Sequence, residues 1–128
     1  MPAGPARGLS SILAVGLVLL IGLVWMALGV LVAASAHPAL HLPQPWSLLW
    51  AFFSVGAGLT AIALAWSLWR RSRLGHHLTL AFLTLSALAV VFDDLGWADL
   101  TFLAAHAAAA AFLLQDRSPY SGPPSANP

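Results

Sequence analysis

The sequence predicts an all-α membrane protein: a bundle of four transmembrane helices in two antiparallel hairpins, with both termini in the cytoplasm. Of its 128 residues, 60% are hydrophobic and 7% are charged, whereas an average soluble domain has roughly 25% charged residues. Four apolar runs are candidates for crossing a bilayer, which takes roughly 20 residues per helix. Residues 9–115 are therefore the predicted transmembrane domain, between a cytoplasmic tail at 1–8 and a polar, disordered cytoplasmic tail at 116–128.

The composition also excludes several kinds of chemistry. There is no cysteine, which rules out disulfides, thiolate metal sites and cysteine nucleophiles. No catalytic, cofactor or metal motif is found, so no enzyme activity and no cofactor are predicted. The basic residues are all arginine, the acidic residues are all aspartate and alanine is abundant, which indicates a GC-rich bacterial genome. We expect a bacterial inner membrane protein whose partners are the lipid bilayer and other membrane subunits or itself, and no nucleic acid.

The first predicted helix covers about 9–36. As a helix, this run would be ~42 Å long, more than the ~30 Å hydrocarbon core, so it must tilt or protrude. Its end, Ala34-Ser35-Ala36, resembles a signal-peptide cleavage site. The run is longer than the roughly 7 to 15 apolar residues of a signal peptide, which favours an uncleaved helix. Gly22 and Gly29 share one face and predict close packing there.

The second predicted helix covers about 46–69, after a proline-rich connection. Tryptophans mark both of its ends and predict two interfacial belts, because the indole ring prefers the headgroup level; they are Trp46 and Trp50, then Trp66 and Trp69. Small residues lie between the belts and predict a patch for close helix contact; they are Ser54, Gly56, Gly58 and Thr60.

Arg70, Arg71 and Arg73 follow the second helix and define its connection to the third. Arginine is costly in hydrocarbon and favours the cytoplasmic side, so this stretch predicts a cytoplasmic turn between the two hairpins. His76 and His77 extend the basic patch. Together these residues predict contacts with anionic lipid headgroups.

The third and fourth predicted helices cover about 74–92 and 97–114. Thr79, Ser86 and Asp93 recur every seven residues along one seam of the third helix. Asp99 lies in the first turn of the fourth helix, where a carboxylate is favourable beside the positive end of the helix dipole. Residues 107–111 are all alanine, which predicts a slim helix at the crowded centre of the bundle.

His106 is the ionisable residue predicted to lie deepest in the membrane, about 14 Å along the fourth helix from Trp97. Residues of this kind are candidates for function. Three interpretations are open: a structural hydrogen bond to a neighbouring helix, proton or ion movement together with Asp99, and haem ligation with His77. Direct contact with Asp99 is excluded because the two are separated by about 10.5 Å along the helix, so water would have to connect them.

The seven-residue spacings favour the first interpretation. Asp93 and Asp99 flank a short turn, and Ser86 and His106 each lie seven residues deeper, so both should descend by about 10.5 Å. Ser54 should lie close to the same layer. We therefore predict that His106 points inward and forms a hydrogen bond with Ser86 or Ser54.

These observations give two functional hypotheses from different classes. The first is a non-catalytic accessory or scaffold subunit that acts through helix packing. The alternative is a small homo-oligomeric transporter or channel with a pathway that includes His106 and Asp99. The transporter or channel hypothesis requires a water-filled path that reaches His106, whereas the subunit hypothesis does not.

The distribution of arginine allows the predicted orientation to be tested. Arginines occur in both tails and in the central turn but in neither of the other connections, so both termini should be cytoplasmic. In intact cells, an impermeant thiol reagent should label Ala39→Cys and leave Ser121→Cys unlabelled. Labelling of Ser121→Cys from outside the cell would contradict this orientation.

Overall fold

The computed structural model describes residues 8–34, 45–91 and 96–115. Within these ranges the chain forms four α-helices: α1 (Leu9–Ala33), α2 (Trp46–Trp69), α3 (Arg73–Val91) and α4 (Trp97–Gln115). Each helix is long and apolar enough to cross a membrane. The chain is thus an all-helical protein with the composition of a multi-pass membrane protein. The bounds of α2, α3 and α4 lie within one residue of those predicted, and α1 ends at Ala33 instead of residue 36.

The helices form a closed ring of neighbours. α1 contacts α2 and α4, and α3 contacts the same two helices. Among the described residues, neither diagonal pair is in contact, and the contact between α1 and α2 is the most extensive. The centre of the bundle is therefore reached by side chains from all four helices.

Glycines allow α1 and α2 to approach closely. A methyl group added at Gly22 would lie 3.0 Å from the Gly58 carbonyl oxygen, and one added at Gly29 would lie 2.9 Å from that of Ala51. Gly22 and Gly29 are both buried, which confirms their predicted shared face. The predicted small patch on α2 is only half right. Ser54 and Gly58 are buried, but Gly56 and Thr60 are exposed, because residues two apart lie on different sides of a helix.

Hydrogen bonds hold the arginine turn at both of its ends, between backbone groups at the end of α2 and through a serine side chain at the start of α3. Arg71 N–H donates to Leu68 O at 2.9 Å and Ser72 N–H to Ser67 O at 3.1 Å, the two bonds of a Schellman motif. Arg71 occupies the left-handed region, with φ 57°. Ser72 Oγ then accepts the N–H of Gly75 at 3.1 Å, which caps the start of α3. This turn brings α2 and α3 side by side through three residues.

α4 does not lie at the centre of the single chain, so the prediction for its alanine run is wrong at this level. Of the four helices, α4 buries the smallest share of its residues. Only His106, Ala109 and Leu113 are buried. A slim helix can pack closely against its neighbours. In the single chain, however, α4 contacts only α1 and α3 within the described residues, so part of its surface is left uncovered.

The α1–α2 contact yields a stability prediction with a matched control on the same helix. A Cβ at Gly58 would lie 2.7 Å from Gly22 O, whereas nothing lies within 4 Å of a Cβ at Gly56. Gly58→Ala should therefore destabilise the bundle by about 1–3 kcal/mol through overpacking. Gly56→Ala should be neutral or stabilising by up to ~1 kcal/mol because alanine favours the helix. Thermal unfolding in detergent measures both, and equal effects would contradict the close contact.

Candidate functional site

His106 and Ser86 join α4 to α3 inside the bundle. His106 Nε2 lies 2.7 Å from Ser86 Oγ. The side chains are buried, with exposures of 2% for His106 and 8% for Ser86. This confirms the prediction that His106 points inward and bonds one of the two candidate hydroxyls. The functional role of the pair stays a prediction.

The second nitrogen of His106 fixes the direction of both hydrogen bonds in the neutral ring. Nδ1 lies 2.8 Å from the carbonyl oxygen of Phe102. A carbonyl can only accept, so Nδ1 carries the proton and donates it. In the neutral ring Nε2 is then the acceptor, and the Ser86 hydroxyl donates its one proton to it at 2.7 Å in preference to the carbonyl oxygen of Leu83, which lies farther away at 3.3 Å. Because both nitrogens are engaged, the bonded His106 has no nitrogen free to ligate haem iron.

A series of contacting aromatic rings connects the His106–Ser86 pair to α1 and α2. The Phe102 ring meets His106 edge to face at a centroid distance of 4.5 Å and meets Trp25 of α1 in the same way at 5.9 Å. Trp25 in turn stacks on Trp50 of α2 at 6.5 Å. We call Trp25, Trp50, Phe102, His106 and Ser86 the aromatic layer. It contains at least one residue from each helix.

Asp99 lies at the edge of a cavity beside the aromatic layer. This cavity has a volume of ≈ 750 Å³ and is lined by apolar residues of all four helices together with Asp99 and Thr101. Asp99 Oδ2 accepts the N–H of Gly96 at 2.8 Å. This is the reciprocal capping bond expected of an acidic residue in the first turn of a helix. Within the described residues no hydrogen bond or ion pair joins Asp99 to His106.

Ser54 lies in the interior, as predicted, but it is not the partner of His106. Its side chain is fully buried, and its hydroxyl oxygen has no hydrogen-bond partner within residues 8–34, 45–91 and 96–115. Asp93 lies outside the described residues. The hydroxyl seam on α3 is confirmed for its two described members, since Thr79 and Ser86 are both buried.

The residues predicted to contact headgroups divide into exposed and buried members. Arg70, Arg73 and His77 are exposed and Arg71 is half-buried. His76 is 5% exposed, and its ring meets that of His77 edge to face at 5.6 Å. A buried ring cannot reach a headgroup, so this role is wrong for His76 and stays a prediction for the other four. The helix turns by about 100° per residue, and this places adjacent histidines on different faces.

Trp25, Trp50 and Phe102 were not recognised as site residues from the sequence. The sequence predicts an interfacial position for Trp50, yet its ring turns inward and stacks on Trp25. One signal could have identified Trp25: it lies eight residues from the end of α1 at Ala33, about 12 Å from that end. A tryptophan so far from the interface needs an interior environment for its N–H group.

Within the described residues, no group of three or more histidine, aspartate or glutamate side chains is placed to hold a metal ion. The polar atoms at this site are instead spread along a layer of rings. Comparison with protein-family models, curated proteins and solved structures gives no match.

A double-mutant cycle can measure the bond between His106 and Ser86. The coupling between His106→Leu and Ser86→Ala should be about 0.6 kcal/mol and at most ~1.7, the range found for hydrogen bonds between membrane helices. Thr84→Ala is the control on the same helix, because Thr84 is exposed and bonds only to Leu80 O of its own turn. Its coupling to His106→Leu should be near zero. Unfolding in mild detergent gives these energies, and equal coupling for Ser86 and Thr84 would contradict the bond.

Proposed function

We propose that this chain is a non-catalytic accessory or scaffold subunit of a bacterial cytoplasmic membrane, and that it acts by packing against other membrane-spanning helices. The observation that carries the proposal is the outer face of α4. Four alanines on this face are spaced so that they form one continuous ridge; they are Ala104, Ala107, Ala108 and Ala111. Ala108 is half-buried and the other three are exposed.

A ridge of this kind suits contact with a second helix. Membrane helices gain little from burying apolar surface against each other, because lipid is equally apolar, so close backbone approach is a main source of affinity. Ala104 and Ala108 have the four-residue spacing of small-residue contact motifs, as do Ala107 and Ala111. Glycines of α1 and α2 also allow close backbone approach, but their contacts are made between these two helices within the chain. The α4 ridge is left for a partner.

The polar interior supports a structural role. His106, the ionisable side chain at the centre, is held by bonds from both of its nitrogens to α4 and α3. A proton carrier would have to exchange these partners for water at each step. The proposal therefore assigns His106 to holding the bundle in the shape that presents the α4 ridge.

The proposed orientation has two antiparallel hairpins and both termini in the cytoplasm. Two contacts support the first hairpin: Gly29 lies against Ala51, near the start of α2, while Gly22 lies against Gly58, further along it. The exposed Arg70 and Arg73 beside the turn support its cytoplasmic position. The ridge on α4 would then be offered to partners within the same membrane.

One observation favours the alternative, a small homo-oligomeric transporter or channel. Asp99 and Phe102 both line the ≈ 750 Å³ cavity, and the carbonyl of Phe102 accepts the bond from His106. A path from Asp99 could thus reach the neighbourhood of His106 if water filled this cavity. The pathway requires the His106 bonds to open.

Bulk added to the α4 ridge tests the subunit proposal. Ala104→Leu should leave the stability of the isolated chain unchanged, since Ala104 is exposed. It should weaken binding to the partner about fivefold to 150-fold, because overpacking a close contact typically costs about 1–3 kcal/mol. The matched control is Ala63→Leu on α2, which is also exposed. Native mass spectrometry of the complex purified from its own membrane in mild detergent gives the stoichiometry.

The proposal predicts that a stoichiometric partner is retained by the wild type and Ala63→Leu and is lost from Ala104→Leu. Retention by all three proteins would contradict the role of the ridge. A homo-oligomer that conducts ions in proteoliposomes, with flux abolished in His106→Leu, would favour the transporter instead.

A further inference from the structure

The cavity beside the aromatic layer combines an apolar interior with one charged side chain. We call it the Asp99 cavity. Its volume of ≈ 750 Å³ lies within the range of roughly 300–1,000 Å³ of small-molecule sites. Within the described part of the chain, Asp99 is the one charged residue of its lining, and the other lining residues except Thr101 are apolar. Trp25, Trp50 and Phe102 contribute aromatic rings. This surface suits a molecule that has both an apolar body and a charge.

The carboxylate lies at one end of the Asp99 cavity. Along α4 the lining begins at Ala98 and ends at Ala105, a distance of about 10 Å along the helix axis. Along α1 it extends from Leu20 to Leu28, about 12 Å. Asp99 immediately follows Ala98, so most of the apolar lining lies on one side of the carboxylate. An apolar body of about 10 Å attached to a charged group matches this arrangement.

Both the carboxylate and the interior can be reached from outside the chain. Asp99 is half-buried, and its neighbour Thr101 in the lining is exposed. Leu20 and Val24 of α1 also line the cavity and are 52% and 43% exposed. Exposed apolar residues of a membrane span face lipid. A molecule dissolved in the bilayer can therefore enter the cavity between α1 and α4.

The Asp99 carboxylate has a neutral hydrogen-bond partner and no ion pair within residues 8–34, 45–91 and 96–115. Its Oδ2 atom accepts the N–H of Gly96 at 2.8 Å. His106 is engaged with the Phe102 carbonyl and with Ser86. A carboxylate can accept about four hydrogen bonds. Asp99 therefore retains both its charge and the capacity for a further partner.

The arginines of the described residues are remote from the Asp99 cavity. Arg73 begins α3, whereas Val90 lines the cavity near the end of this helix, about 25 Å away along its axis. The connections at residues 35–44 and 92–95 contain no arginine or lysine. Their two histidines belong to a residue type that is mostly neutral at neutral pH in its ordinary state. A carboxylate beside hydrocarbon is unfavourable without a counter-ion, so its complement is a cation from outside the chain.

We propose that the Asp99 cavity binds an amphiphilic organic cation, in which an ammonium group is joined directly to an apolar body. The ammonium group lies against the Asp99 carboxylate, and the body extends past Phe102 towards Trp25. Aromatic rings suit such a molecule because they bind apolar surface and attract positive charge. None of the four alanines of the α4 ridge lines the cavity, so binding here does not depend on the subunit role proposed above.

The order of its groups distinguishes such a cation from a membrane lipid. In a zwitterionic phospholipid, a phosphate group lies between the ammonium group and the acyl chains. With the ammonium group at Asp99 and the chains in the cavity, this phosphate would lie beside the carboxylate, where like charges repel. A cation with its apolar body attached directly to nitrogen avoids this repulsion.

Binding of phenylbutyltrimethylammonium to the full chain tests the proposal. The protein is purified in an uncharged maltoside detergent and titrated with the tritium-labelled cation, which should bind with saturation at one molecule per chain. Two unlabelled competitors separate the charge from the apolar body. Tetramethylammonium has the charge without the body, and the analogue in which carbon replaces nitrogen has the body without the charge. Each should compete at least about tenfold more weakly than unlabelled phenylbutyltrimethylammonium, since both parts contribute to affinity.

A change of charge at Asp99 tests the role of the carboxylate. Asp99→Asn keeps the shape of the side chain and an oxygen that can accept the N–H of Gly96. It should weaken binding of the cation about tenfold, more than an exposed ion pair contributes and less than a charge pair near a protein surface can reach. Asp116→Asn removes the same charge just after the end of α4 and should bind like the wild type. If Asp99→Asn alters the fold, the competition in the wild-type protein still decides.

Four results would overturn the proposal. The wild-type chain could show no saturable binding of the cation. The uncharged carbon analogue could compete equally well, which would mean that the cavity accepts any apolar molecule. A correctly folded Asp99→Asn could bind with unchanged affinity, which would mean that the carboxylate has no part in binding. Phosphatidylethanolamine added to the micelles could displace the cation, which would make a lipid headgroup the occupant.

Discussion

The constraint on which this structure depends is the lack of hydrogen-bond partners in hydrocarbon. Every polar side chain within the helices must find a partner in the chain or remain unsatisfied. The four threonines solve this locally, as Thr79 does by donating to Gly75 O at 2.7 Å. His106 has two nitrogens to satisfy and uses Phe102 O on its own helix and Ser86 on α3. The requirement thus links α3 and α4, which follow each other in the sequence.

That link organises the packing around it. Phe102, one turn from His106, holds Trp25 by an edge-to-face contact, and Trp25 stacks on Trp50. Trp25 and Trp50 also line two cavities of the bundle. Near the glycines of α1 and α2 the backbones touch instead. The same bundle therefore combines a tightly packed helix pair with a more open aromatic layer.

The sequence was sufficient for the helices and for one contact of the site. Apolar length determines a membrane span almost alone, and equal seven-residue spacings from Asp93 and Asp99 predict that Ser86 and His106 lie at the same depth. Rotation about each helix axis was harder to predict. Trp50 faces inward although tryptophan prefers the interface, and His76 is buried although its neighbours are basic, because packing against neighbouring helices sets rotation. The outward position of the α4 alanines depends on how many helices surround α4, which no local pattern specifies.

We expect His106 to have a structural role, with its proton on Nδ1 and with Nε2 bonded to Ser86. Solid-state NMR of the histidine ring nitrogens in lipid bilayers tests this most directly, with His106→Leu used for assignment. The account predicts one neutral tautomer at neutral pH, protonated on Nδ1, with slow proton exchange with water. A ring protonated on Nε2, or a ring proton that exchanges rapidly with water, would contradict it and place His106 on a hydrated path.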